Sequence, residues 1–148
     1  MPTAVSNIDR QVERRLFEHR VRYTNGRRVV VEALGLEPGP RSAADLHDRI
    51  GPRVPLSSLY RTLAVLEEAG VVALHHSSKG LTRYELAEWL RGHHHHLLCT
   101  SCGAVEDTEI PESVETDLRD IVRRIGSRSK FKPSDHALEI EGLCVKCT

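Results

Sequence analysis

Aromatic side chains are scarce in this 148-residue chain: Phe, Trp and Tyr together make 4% of it. Any core must therefore be aliphatic, and a hydrophobic share of 39% is enough to build one, which excludes wholesale disorder. Long apolar runs are missing altogether. Nothing approaches the roughly 20 consecutive residues that a membrane-spanning helix requires. The first twenty residues are polar and charged, without the apolar stretch of a secretory signal, so the expected compartment is the cytoplasm. An excess of charge is missing too: 21 Lys and Arg balance 21 Asp and Glu, for a formal net charge of zero. Taken alone, neutrality argues against nucleic acid as a partner, because a basic surface is its usual mark. What stands out instead is nine histidines and four cysteines. In a reducing compartment, four cysteines point to metal ligation sooner than to disulfides.

The neutrality hides a division. Residues 1–86 contain 13 Lys and Arg against 10 Asp and Glu, a net of +3, and residues 87–148 contain 8 against 11, a net of −3. All four cysteines and five of the nine histidines fall in the second stretch. The pattern predicts a mildly basic front domain at 1–86, a linker at 87–92 and an acidic, ligand-rich back domain at 93–148.

Hydrophobic periodicity places four helices in the front domain. From Asn7 to about Arg20, Ile8, Val12, Leu16 and Phe17 share a face. Thr24 is a suitable N-cap for a second helix carrying Val29, Val30, Ala33 and Leu34, ended by Gly35 and the Pro38-Gly39-Pro40 stretch. Ser42 caps a third, with Ala43, Leu46 and Ile50 inward, closed by Gly51-Pro52. Pro55 and Ser57 open a fourth, in which Leu59, Leu63, Val65 and Leu66 face the core as far as Gly70. Strands at 71–76 and 82–86, joined by a polar turn at 77–80, follow. Leaving aside the first helix, three helices and a hairpin are the order of a winged helix-turn-helix domain. The back domain reads as strand, helix, strand, and the chain as α+β. Its helix is capped by Ser113 and carries Val114, Leu118, Ile121, Val122 and Ile125, and its last strand covers 137–143.

The strongest chemical signal is Cys99-x2-Cys102 followed, after 41 intervening residues, by Cys144-x2-Cys147. Zinc takes four ligands in a tetrahedron, and a two-residue gap lets both sulfurs of a pair reach one ion from a tight turn. Matched pairs beside two strands predict one structural zinc site. Immediately before Cys99 stands an unbroken run, His93 to His96. Alternate side chains of a strand point to opposite faces. His93 and His95 therefore face one way and His94 and His96 the other, an arrangement that feeds two separate metal sites. His136, eight residues before Cys144, can complete one of them.

In sum, the chain resembles the ferric uptake regulator family. The likeness is carried by Leu59-Tyr60-Arg61-Thr62-Leu63, Glu67-Glu68-Ala69-Gly70 and Tyr84-Glu85-Leu86, then by the histidine run with Cys99-x2-Cys102-Gly103, and by Glu139-Ile140-x-Gly142-x-Cys144-x2-Cys147. The resemblance implies a homodimeric, metal-responsive transcription regulator, usually a repressor. Its N-terminal winged helix binds an inverted-repeat DNA operator, and its small C-terminal α/β domain dimerises and holds metal. By position it implies zinc at Cys99, Cys102, Cys144 and Cys147. It also implies a regulatory hinge site of Glu85, His94 and His96, and a dimerisation-domain site of His93, His95, Glu115 and His136. Glu112 competes with Glu115, and Asp107 is an additional carboxylate within reach of the second site. Many members add a hinge histidine from the loop before the third helix, but residues 37–41 here contain none. Water, or His75 or His76 of the hairpin, is left to fill that place. A nitrogen and oxygen donor set suits Fe(II), Mn(II) or Zn(II).

The fourth helix is then the recognition helix, with Ser57, Ser58, Tyr60 and Arg61 at its N-terminal end, outside the apolar stripe. Arg61 can take guanine bidentately or meet a phosphate, and Tyr60 can pack on a thymine methyl. Arg22 matches a basic residue placed in the minor groove, and Lys79 of the turn is a further phosphate candidate. Alternatives are a peroxide-sensing regulator using Fe(II) or Mn(II), and a zinc-dependent hydrolase. The latter would need a general base beside the metal and a substrate pocket, and no His-Glu-x-x-His helix motif is present. No enzyme activity, membrane or small-molecule substrate is expected.

Overall fold

A computed structural model describes residues 4–76 and 80–148. The turn residues Ser77 to Lys79, and with them the phosphate candidate Lys79, lie outside the described residues. The chain divides into two compact units, Met1–His93 and His94–Thr148. Among the described residues no helix is long and apolar enough to cross a membrane.

The first unit contains α1 (Ala4–Glu18), α2 (Asn25–Leu36), α3 (Ala43–Ile50), α4 (Leu56–Glu68), β1 (Val72–His76), β2 (Thr82–Leu86) and a one-turn α5 (Glu88–Arg91). Helix starts follow side-chain chemistry. The Thr24 side chain accepts from the Arg27 N–H, while Ser42 and Asp45 form a reciprocal capping box. Val12 and Leu16 of α1, Val30, Val31 and Leu34 of α2, and Leu59, Leu63 and Leu66 of α4 meet in one aliphatic cluster with Leu46 and Leu86. Burying each such side chain contributes about 1.5–3 kcal/mol. The expected apolar faces are displaced in places. Phe17 is 82% exposed rather than inward, and on α2 the fully inward position beside Val30 is Val31 rather than Val29, which is only partly buried.

β1 and β2 form the antiparallel hairpin. Arg41 extends it, exchanging both backbone hydrogen bonds with Tyr84 (2.9 and 2.7 Å). The stretch read as a linker is not loose. Trp89 of α5 donates from Nε1 to the Gly70 carbonyl at 2.7 Å, the Arg15 guanidinium lies 4.2 Å over its ring, and Arg91 donates to the Glu37 carbonyl at 2.9 Å. Residues 87–93 thus pack with the first unit.

The second unit contains β3 (His95–Cys99), β4 (Val105–Thr108), α6 (Glu112–Arg128) and β5 (Glu139–Gly142). The sheet order is β4-β3-β5, antiparallel on one side of β3 and parallel on the other. β4, reading Val105-Glu106-Asp107-Thr108, is an addition to the expected strand–helix–strand order. Two acidic residues in four disguise a strand, because Asp and Glu are depleted in strands, and only the pairing with β3 makes it one. This unit is poor in core. Among the described residues its buried apolar side chains are Cys99 and Val105, while Val114, Ile121 and Ile125 of α6 are exposed.

Candidate metal centres and nucleic-acid surface

The thiol cluster follows from sheet register. β3 ends at Cys99, and a tight turn through Gly103 (φ 74°) returns the chain, with Gly103 N–H donating to the Cys99 carbonyl at 2.9 Å. Parallel pairing sets Cys99 beside Gly142 of β5, so the second cysteine pair leaves the sheet at the same end as the first. All four cysteines are free thiols whose sulfurs lie within 4.8 Å of one another. The Cys102 and Cys144 sulfurs are 3.8 Å apart. Thiolates about 2.3 Å from zinc at tetrahedral corners lie about 3.8 Å from each other, so this donor set fits a four-sulfur zinc site. The cluster also shares its protons unevenly. The Cys102 and Cys144 backbone N–H groups hold the Cys99 thiol down to about 6. Cys147 receives a hydrogen bond from Ser101 that pulls it down, but the neighbouring thiols of Cys144 and Cys102, together with burial, push it up to about 11. Thiolates crowded together favour protonation unless a cation joins them.

One strand serves two carboxylates. His95 of β3 is buried, with Nε2 2.8 Å from Glu115 of α6, and the other oxygen of Glu115 lies 2.8 Å from His136 Nε2. The two imidazoles stack at 5.5 Å. His95, Glu115 and His136 offer ligand atoms within 4.8 Å of one another, and nitrogen and oxygen donors of this kind suit a divalent first-row metal. Glu112, one turn earlier on α6, points elsewhere: its side chain is 83% exposed and pairs with Arg119. His93 ends the first unit and hydrogen bonds through Nδ1 with Glu88. His136 itself precedes β5 by three residues, in irregular chain rather than in a strand.

His94 and His96 turn to the other carboxylate. Asp107 of β4 lies 3.6 Å from His94 Nε2 and 3.4 Å from His96 Nε2, and the two rings meet edge to face at 5.0 Å. These three also converge within 4.8 Å. In the first unit, Glu85 of β2 is buried, with Oε1 2.5 Å from His75 Nε2. The loop before α3 has its own ionic structure. The Glu37 carboxylate is buried between Arg41 (3.0 Å) and Arg49 (3.1 Å), a cluster that no periodicity reveals.

Of the DNA-facing candidates, Ser57, Tyr60, Arg61 and Arg22 are exposed and Ser58 is half-buried. Ser58 and Arg61 line a cleft of about 650 Å³ with Arg27 and Arg53. The cleft lining contains three arginines and no carboxylate, an arrangement suited to phosphate oxygens. Arg53 was not foreseen from the sequence. It sits in the short 3-10 turn after α3, where a composition reading finds only the Gly51-Pro52 stop.

Comparison with known proteins gives a consistent result. Residues 18–141 match the sequence pattern of the Ferric uptake regulator family. The Ferric uptake regulation protein of Bacillus subtilis (strain 168) is 35% identical over 147 residues, covering 96% of this chain and 95% of that protein. The crystal structure of the Vibrio cholerae ferric uptake regulator superposes with a TM-score of 0.70 at 26% identity, covering 89% of this chain and 98% of the other. A zinc uptake regulator complexed with zinc and DNA gives a TM-score of 0.59 at 28% identity, covering 98% and 95%.

Proposed function

This chain belongs to the ferric uptake regulator family, whose members are metal-responsive transcription regulators and not enzymes, and from that premise we propose a specific working arrangement. The protein acts as a repressor that binds an inverted-repeat operator as a metal-loaded homodimer and controls metal-uptake or homeostasis genes. Cys99, Cys102, Cys144 and Cys147 hold a structural zinc. Glu85, His94 and His96, with Asp107, form the regulatory site for Fe(II), Zn(II) or Mn(II). His93, His95, Glu115 and His136 form a further site in the dimerisation domain. Ser57, Ser58, Tyr60, Arg61 and Arg22 meet DNA.

The observation that carries this reading is the division of labour along one short run of histidines. His94 and His96 go to Asp107, while His95 goes to Glu115. The proposed regulatory donors come from β2 (Glu85) and from the histidine run (His94 and His96). A dimer reaches two half-sites about one DNA turn apart only when its recognition helices are correctly spaced. Bound metal supplies positive charge that carboxylate and imidazole share. It strengthens operator binding to the extent that it favours the DNA-competent arrangement over others. The homodimer is supported by the apolar stripe left exposed on α6 and by Leu97 and Ile140, exposed register partners on β3 and β5.

Gel-shift titrations at buffered Fe(II), Mn(II) and Zn(II) test the regulatory site. His96→Ala and Glu85→Ala are expected to remove most of the metal dependence of operator affinity while leaving the fold intact. Unchanged metal dependence in both would sink the assignment. Asp107, close to both imidazoles, favours a second reading as a peroxide sensor. Peroxide treatment of the Fe(II)-loaded protein would then add one oxygen to His94 or His96, and a mass spectrum without that addition removes the reading.

A further inference from the structure

We propose that Arg53 and Arg27 hold the sugar-phosphate backbone of duplex DNA in the basic cleft beside α4, so that this face anchors DNA of any sequence. The inference deepens the reading of α4 as a recognition helix and rests on it. The cleft follows one side of that helix. Ser58, Arg61, Thr62 and Val65 line it, and positions three, four and seven residues after the first make one stripe of an α-helix. The rest of the lining comes from the start of α2, with Arg27, and from the turn after α3, with Arg53. A helix lying in a major groove has a phosphate backbone along each flank, while its N-terminal end meets the base edges. A cleft on the flank therefore meets phosphates.

These arginines are positioned but not neutralised. Arg53 donates from Nε to the Ile50 carbonyl at 3.1 Å, and Arg27 donates from Nη1 to the Arg22 carbonyl. Each bond ties the guanidinium to backbone and leaves further N–H groups of the fork for an acceptor. Elsewhere in the unit carboxylates take up the positive charge: Arg28 meets Asp9 and Glu13, and Arg41 and Arg49 share Glu37. Among the described residues Arg27, Arg53 and Arg61 meet none. Like charges gathered around one opening repel one another, and an anion between them relieves the repulsion. A phosphate diester brings one negative charge and acceptor oxygens that an arginine fork matches. The competing role for Arg53 is to secure the turn through Ile50 alone. Salt separates the two roles: a phosphate contact releases counterions condensed on DNA, whereas a contact within the turn releases none.

That difference sets the experiment. The full-length Mn(II)-loaded protein selects a duplex from a random-sequence library. Fluorescence anisotropy then follows its affinity for that duplex, and for a shuffled duplex of the same composition, as KCl is raised. Arg53→Gln, whose amide can still donate to the Ile50 carbonyl, is expected to weaken binding to both duplexes by the same factor. It is also expected to flatten the fall of log affinity with log salt by about 0.9 for each bound protomer. Arg27→Gln is expected to do the same, and Arg53→Lys, which keeps the charge, to retain the parental slope. A parental slope in Arg53→Gln overturns the proposal even where affinity falls. A damaged turn removes active protein without changing how many phosphates the remainder neutralises. A loss confined to the selected duplex overturns it too, in favour of base reading by Arg53. A parent that enriches no sequence from the library removes the recognition-helix reading itself, and the proposal with it.

Discussion

Cys99 and Cys147 are the same side chain in the same cluster, yet one thiol is held down to about 6 and the other pushed up to about 11. Backbone donors from Cys102 and Cys144 stabilise the Cys99 thiolate, whereas Cys147 has thiol neighbours that compete for negative charge. Zinc makes such a set mutually favourable, and its binding free energy is folding free energy. We expect Cys99→Ser to lose the structural zinc and with it the amide-exchange protection of residues 94–148, while the first unit, with its complete aliphatic core, keeps its protection. Metal analysis and residue-resolved hydrogen exchange check both parts, and a variant retaining zinc and protection contradicts the structural role. Much of this site was legible in the sequence, because a two-residue gap between cysteines is local geometry. The choice between Glu112 and Glu115 was not, since both lie on the same helix one turn apart. Glu115 meets His95 and His136 because of how α6 lies on the sheet.

At the scale of elements, the caps behave as local chemistry dictates: Thr24 and Ser42 start α2 and α3. Ser113, by contrast, does not cap α6, which begins behind Pro111 without a side-chain cap. The end of α6 has a requirement that no propensity scale carries. At Gly126 an added Cβ would stand 2.6 Å from the Pro133 ring and 2.7 Å from the Phe131 carbonyl, and the Phe131 N–H returns to the Gly126 carbonyl at 2.8 Å. In an open helix, Gly→Ala gains up to about 1 kcal/mol. Here overpacking against a rigid ring and a backbone carbonyl costs about 1–3 kcal/mol, so the clash wins. Gly126→Ala should therefore lower the urea midpoint of the zinc-loaded protein. A higher midpoint would mean that residues 131–133 yield without cost.

For the whole molecule, the two units are stabilised by different means. The aliphatic cluster belongs entirely to the first. The second has 55 residues, two buried apolar side chains and a helix whose Val114, Ile121 and Ile125 remain exposed. A unit of that size with so small a core needs a metal, a partner or both. The periodicity of α6 was legible in the sequence, but not that its stripe stays uncovered within one chain, because periodicity specifies a face and not what lies against it. Glutamates at Ile121 and Ile125 together are expected to halve the mass observed by sedimentation at micromolar concentration and to abolish tight operator binding. A variant that sediments as the parent does would place the dimer interface elsewhere.

The sequence by itself determined the donor types and their order, the helix and strand periods, and the family, because these are local or cumulative properties of the chain. It also located the opposed charges of +3 and −3 behind a net charge of zero. Tertiary structure decided which side chains meet. Strand period alone says that His75 and His76 point opposite ways, but hairpin register decides that His75 is the one facing Glu85. Pairing with β3 turns acidic residues 105–108 into a strand and carries Asp107 to His94 and His96. Folding of the α3 and α4 ends brings Arg53 beside Arg61 in one basic cleft. Each of these depends on contacts between segments distant in sequence, where register and packing fix positions that spacing along the chain cannot.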